Sequence, residues 1–164
     1  MALQPASTRH QHWFSYLLPP ARAGGYEYTA DWRVQVGAGE SHEVKKHTIA
    51  QLTRQVGETR ALLPDVKLYQ IHSAIEASGV LDSPEVLSAL GRLRDDGIAI
   101  GASVSHPQIA TIEKASKIEH NGAPLFASVQ ATFNLLDQSA GPALQAAAER
   151  GVFIIVKEVS GPNE

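Results

Sequence analysis

From about Glu43 onward, apolar residues recur at helical spacing as far as Leu63. Side chains three, four and seven positions apart lie on one face of an α-helix. Thr48 followed by Gln51 fits a capping box, and Pro64 disfavours helical geometry in the residue before it. The pattern therefore predicts a helix within 44–63, whose firm part begins at Thr48 and which Pro64 ends. Its buried positions are Ile49, Leu52, Val56 and Leu63.

Four short segments rich in β-branched and aromatic residues follow, and we predict that each is a strand. They are 66–72, 98–104, 125–130 and 152–156. A helix signal lies in each interval. Ser83-Pro84 supplies an N-cap and a first-turn proline, Pro107 opens a helix that Asn121-Gly122 is expected to close, and Gly141-Pro142 opens a third.

The spacing of these strands decides the class of fold. Their first residues are separated by 32, 27 and 27 positions, which leaves room for one helix and two short loops each time. The last segment is apolar throughout, which is typical of strands buried on both faces of a parallel sheet. We therefore predict an α/β fold with a parallel β/α repeat. A doubly wound sheet and a barrel both satisfy the pattern.

Composition narrows the classes of function. The chain of 164 residues is 43% hydrophobic and 19% charged, with a net charge of −3 and no cysteine. Nucleic-acid binding is not expected because it needs a concentrated basic face, and disulfides are excluded. No apolar stretch reaches the ~20 residues of a membrane span, so a cytoplasmic location is the default expectation. We predict a poorly specified segment at 1–24 and a folded domain at 25–164.

Polar or ionisable residues close all four predicted strands. Ligand sites of parallel α/β folds lie at the carboxyl ends of the strands, so these side chains are expected to converge on one rim. Each has an ordinary interpretation alone: a histidine bonded to backbone, two loop-proximal polar residues, and a lysine where the chain enters water. Together they indicate a site without naming a reaction. They are His72, Ser103, Gln130 and Lys157.

Five ordered motifs resemble those of the aldo/keto reductase family. They are GYEYTADW at 25–32, LYQIHS at 68–73, LGRLRDDGIAIGAS at 90–103, VQATFNLL at 129–136 and VFIIVKE at 152–158. The resemblance covers the central to C-terminal strands of that family's barrel. It implies about half of a TIM (β/α)₈ barrel and reduction of aldehydes or ketones with NADPH or NADH.

The resemblance also implies roles for the strand-end residues. His72 would orient the substrate carbonyl, while Ser103 and Gln130 would hold the nicotinamide carboxamide. Lys157 falls where the family often has an aromatic residue that stacks on the nicotinamide. The family's D-T-A-x-x-Y-G segment, which carries its tyrosine acid, does not occur in this sequence, and the family lysine is replaced in the region 22–24. We therefore expect weak or no reductase activity from this chain.

Two other functions are compatible with the sequence. The first is a non-catalytic half-barrel that pairs with itself or with another chain, because a short parallel sheet leaves two open edges. The second is Schiff-base chemistry at Lys157, since lysines at barrel strand ends become nucleophiles when desolvated. Glu158 beside it favours the charged amine and opposes that chemistry.

Overall fold

The computed structural model describes residues 21–23, 26–28 and 43–159. Nine strands and four α-helices lie in these ranges. The strands are β1 Ala21–Ala23, β2 Tyr26–Tyr28, β3 Glu43–Lys45, β4 Leu68–Ala74, β5 Ala99–Val104, β6 Glu119–His120, β7 Ala123–Pro124, β8 Phe126–Thr132 and β9 Phe153–Lys157. The helices are α1 Ile49–Leu62, α2 Pro84–Asp95, α3 Ile109–Ala115 and α4 Gly141–Glu149.

Five strands form one parallel sheet in the order β1-β4-β5-β8-β9. Helices α2, α3 and α4 connect its last four strands in turn, so the predicted parallel β/α repeat is confirmed. Strand β1 lies inside the segment predicted to be poorly specified, and residues 1–20 of that segment lie outside the described residues. The division into two segments stays a prediction.

The helix starts follow the predicted local chemistry. The Oγ1 atom of Thr48 accepts a hydrogen bond from the Gln51 amide, and the hydroxyl of Ser83 accepts one from the Val86 amide. The return half of the capping box is not formed, because the Gln51 side-chain oxygen accepts from Arg54 instead. The first cap therefore depends on the threonine hydroxyl.

The core lies between the sheet and the helices. The opposite face of the sheet is closely packed around Gly101. A Cβ atom built on Gly101 would point to this face and would lie 2.4 Å from the Ser128 hydroxyl and 2.8 Å from Gln70 Cγ. We call this second face the inner face and the one packed on the helices the outer face. Alternation puts Ile100 and Val104 on the outer face, where both are fully buried.

Two predictions about the later elements are wrong. Asn121-Gly122 does not close α3, which ends at Ala115. The pair instead forms the turn between β6 and β7, with φ of 52° and 73°, because Asn-Gly tolerates the two positive φ angles that a tight hairpin requires. Strand β9 is not buried on both faces, since Phe153 is 52% and Val156 42% exposed.

No helix in the described parts of the chain is long and apolar enough to cross a bilayer.

Candidate functional site

The four strand-end residues lie on adjacent strands of the sheet. His72 is two positions after Gln70 in β4, and Ser103 is two positions after Gly101 in β5, so alternation puts both on the inner face. Ser103 and Gln130 are direct register partners on β5 and β8. Lys157, the last residue of β9, is aligned with Thr132 of β8. The topology therefore brings the four residues to the carboxyl end of one face.

The end of β4 is held in an unusual backbone conformation. Ser73 has φ of 52°, which costs a residue other than glycine about 1–2 kcal/mol, and the pairing register shifts between Ile71 and Ala74. The Nε2 atom of His47, which precedes α1, donates to the backbone carbonyl of His72 over 2.9 Å. These features fix the backbone from which the half-buried His72 imidazole extends.

Ser103 and Gln130 provide complementary hydrogen-bonding groups side by side. Ser103 is 4% exposed and Gln130 is half-buried. Neither side chain has a hydrogen bond to another residue within the described ranges. A carboxamide ligand needs one acceptor for its NH₂ group and one donor for its oxygen, and a hydroxyl beside a side-chain amide supplies both. The pair therefore fits a nicotinamide carboxamide.

The ammonium group of Lys157 crosses the neighbouring strand. Its Nζ atom donates to the backbone carbonyl of Val104 over 2.7 Å, although β8 separates β9 from β5. The side chain is half-buried, so Lys157 is not simply where the chain enters water. A nucleophilic lysine needs an environment that favours the neutral amine, and a hydrogen bond to a carbonyl oxygen does not favour the neutral form over the charged one. The Schiff-base alternative gains no support from this contact.

Beside these residues lies a hydrogen-bonded network, which we call the rim network: Gln108, Thr132, Asn134 and Glu158. The buried Gln108 amide donates to the Thr132 carbonyl and accepts from the Thr132 amide, at 2.9 and 3.1 Å. The Thr132 hydroxyl donates to the Glu158 carboxylate over 2.7 Å, and Asn134 donates to the Glu158 carbonyl over 2.8 Å. The network joins the carboxyl ends of β8 and β9.

Sequence reasoning did not identify Gln108. It follows Pro107 in a loop, and its partner Thr132 lies 24 positions away. No local sequence pattern identifies a glutamine whose side-chain amide bonds to the backbone of a strand, as a neighbouring strand would. The only signal was its position directly after β5, where ligand-site loops of parallel sheets begin.

Two ionisable groups near the site have displaced pKa values. Hydrogen bonds from the side chain and backbone of Ser139, with a smaller contribution from His106, hold the pKa of Asp137 below its ordinary value of 3.8. Burial raises the pKa of Tyr69 to about 12. Tyr69 is the only tyrosine in 46–159 and contacts the helix side, so it is not part of the inner-face site.

Within the described ranges, no three histidine, aspartate or glutamate side chains are grouped closely enough to hold a metal ion.

Comparison with known proteins identifies the fold. No protein-family model and no curated protein matches this sequence. Two solved Pseudomonas aeruginosa structures, both provisionally assigned as aldo-keto reductases, are similar. One is 23% identical with a TM-score of 0.59, and the alignment covers 84% of this chain and 48% of that one. The other is 21% identical with a TM-score of 0.60, and the alignment covers 87% of this chain and 50% of that one.

These two comparisons confirm the fold prediction. The chain spans about half the length of the solved chains that it matches, and its parallel β/α repeat corresponds to part of a (β/α)₈ barrel. The resemblance to the aldo/keto reductases inferred from the motifs is thus confirmed at the level of fold. Sequence identity below 25% does not carry activity or substrate with it.

Proposed function

We propose that the inner face binds the nicotinamide part of NADPH or NADH and a small carbonyl compound. The observation that carries this proposal is the pairing of Ser103 and Gln130 at the carboxyl end of adjacent parallel strands. Both have hydrogen-bonding groups that no other described residue uses. The half-barrel architecture shared with the two Pseudomonas structures supports the same site.

The reaction would be reduction of an aldehyde or ketone to an alcohol. A reduced nicotinamide supplies a hydride for the carbonyl carbon when it is bound. The electron pair of the C=O double bond then moves to the oxygen, which takes a proton from water. In this proposal His72 holds the carbonyl oxygen by a hydrogen bond, and the stabilisation grows as negative charge develops there.

Turnover by this chain is expected to be slow. The developing alkoxide needs a positioned proton donor, and the only tyrosine in 46–159 belongs to the helix side of the sheet with a pKa of about 12. The rate of turnover is measured by mixing the chain with NADPH and an aldehyde and monitoring the loss of reduced-nicotinamide absorbance. Fast carbonyl-dependent turnover that His72→Ala abolishes would contradict the expectation.

Binding is tested directly by titrating the chain into NADPH and following nicotinamide fluorescence. One lost hydrogen bond is worth about 0.5–1.5 kcal/mol, so Ser103→Ala and Gln130→Leu should each weaken binding by about 2- to 10-fold. Gln145→Leu, an exposed glutamine on α4, is the matched control and should change nothing. Unchanged affinity in both site variants would refute the proposed site.

A second candidate is self-association through β9. This strand is the last of the five in the sheet, and its first residue, Phe153, is 52% exposed. An exposed apolar edge strand is a template for pairing with another chain. Light scattering after size-exclusion chromatography tests this candidate, because a monomer at high concentration would exclude self-association.

The cytoplasmic location stays a prediction.

A further inference from the structure

We propose that Asn121 is a site of spontaneous deamidation, and that the reaction releases the β6–β7 hairpin from α2. Asn121 and Gly122 form the turn of this hairpin, and both residues are exposed. Asparagine is one of the chemically labile residues of proteins. Because glycine carries no Cβ atom, the backbone nitrogen of Gly122 approaches the asparagine side chain with little steric hindrance. This inference does not depend on the inner-face site.

The reaction needs water as its only other reactant. The backbone nitrogen of Gly122 bonds to the Cγ atom of Asn121, the Cγ–Nδ2 bond breaks, and the proton from the backbone nitrogen leaves with ammonia. The resulting five-membered cyclic imide takes up one water molecule, which opens either of its two carbonyl–nitrogen bonds. The product is an aspartate or an isoaspartate at position 121, with one more negative charge and no change in oxidation state.

The structure leaves the attacking nitrogen available. The N–H group of Gly122 has no hydrogen bond to another described residue. A Cβ atom built on Gly122 would have no neighbour within 4 Å, so the turn is open to water. Each strand of the hairpin has only two residues, and Pro124 of β7 has no N–H to donate. The local opening that lets the two reacting atoms meet therefore breaks few hydrogen bonds.

The Asn121 amide also helps to hold the hairpin on α2. Its Nδ2 atom donates to Oδ2 of Asp95 over 3.5 Å, and the same oxygen contacts Nε2 of His120 over 2.9 Å. Deamidation replaces this donor with a carboxylate, so two negative charges meet and repel each other. Nε2 of His120 lies 3.1 Å from the Asn121 amide, but it carries at most one hydrogen and cannot serve both carboxylates. An isoaspartate also lengthens the backbone by one carbon, which disrupts a two-residue turn.

Incubation of the full chain in mildly alkaline buffer, followed by proteolysis and mass spectrometry, tests the modification site. The peptide that contains Asn121 should gain the mass of an amide-to-acid conversion. Asn134 is the internal control, because it is buried and its Oδ1 atom accepts from the Leu136 and Asp137 amides, so it should stay unmodified. The same chain in urea gives the rate of conversion without the fold. If the folded chain still has an intact Asn121 when the unfolded chain is fully converted, the proposal is overturned.

Hydrogen exchange tests the release of the hairpin. The Leu125 amide donates to the Ile118 carbonyl over 2.8 Å at the base of the hairpin, so its exchange reports opening. Asn121→Asp should speed this exchange about fivefold, the effect of two like charges about 4 Å apart in water. Gln138→Glu adds the same charge at an exposed loop position and should leave the exchange unchanged. If the Leu125 amide of Asn121→Asp exchanges at the rate of the unmodified chain, the release from α2 is overturned.

Discussion

We predict that the Gln108 side chain stabilises the rim network, and that replacing it lowers the free energy of unfolding. The side chain is 2% exposed, and its amide makes two hydrogen bonds with the backbone of Thr132, which is itself 6% exposed. Gln108→Ala leaves one buried N–H and one buried C=O without partners. Each such group costs about 1–3 kcal/mol, so we expect the free energy of unfolding to fall by about 3 kcal/mol.

Urea denaturation followed by circular dichroism measures this loss. Total stabilities of single domains are about 5–15 kcal/mol, so the midpoint should move clearly while the slope stays constant. Gln138→Ala is the matched control, since Gln138 is exposed in the next loop and its removal should cost less than about 0.5 kcal/mol. A loss of less than about 1 kcal/mol in Gln108→Ala would refute the stabilising role of its two hydrogen bonds with Thr132.

Three further predictions concern packing and ionisation. Gly101→Ala should destabilise the sheet by about 1–3 kcal/mol because its Cβ would lie 2.4 Å from the Ser128 hydroxyl, and adding Ser128→Gly should recover part of the loss in the same denaturation assay. Tyr69 ionises more readily in the unfolded chain, so stability should be intact below pH 10 and fall as the pH rises towards about 12, a loss that Tyr69→Phe removes. The lowered pKa of Asp137 contributes stability above its ordinary value of 3.8 that disappears as the pH falls below it, and Asp137→Asn should flatten that acid limb; an unchanged limb would contradict the Ser139 contacts.

Hydropathy predicted where the strands lie but not where they end. The segment predicted at 125–130 continues to Thr132, and the one predicted at 152–156 continues to Lys157. A residue belongs to a strand when its backbone pairs with a neighbouring strand, whatever the polarity of its side chain. Thr132 of β8 pairs with Lys157 of β9, so both strands extend to these polar residues. Strand positions are local properties of the sequence, whereas strand ends depend on the partner strand.

The hairpin shows a different limit. Asn-Gly is a strong signal for a tight turn, yet after a helical pattern the same pair also fits a helix end. The structure selects the hairpin, whose His120 ring packs so closely on Gly91 of α2 that a Cβ there would lie 2.3 Å from Nδ1. His120 also contacts the Asp95 carboxylate over 2.9 Å. These contacts join residues more than twenty positions apart, which no local pattern records.

Convergence of polar residues at one rim does not by itself identify a function. Every parallel sheet brings its carboxyl ends to one edge, and those ends are commonly polar, so the topology alone produces such a cluster. What distinguishes the residues is how their hydrogen-bonding groups are used. Thr132 and Glu158 bond to each other within the rim network, which makes them structural, whereas Ser103 and Gln130 have no such bond to a described residue. Substitutions at Ser103 and Gln130 therefore test the function, while substitutions in the rim network test the scaffold.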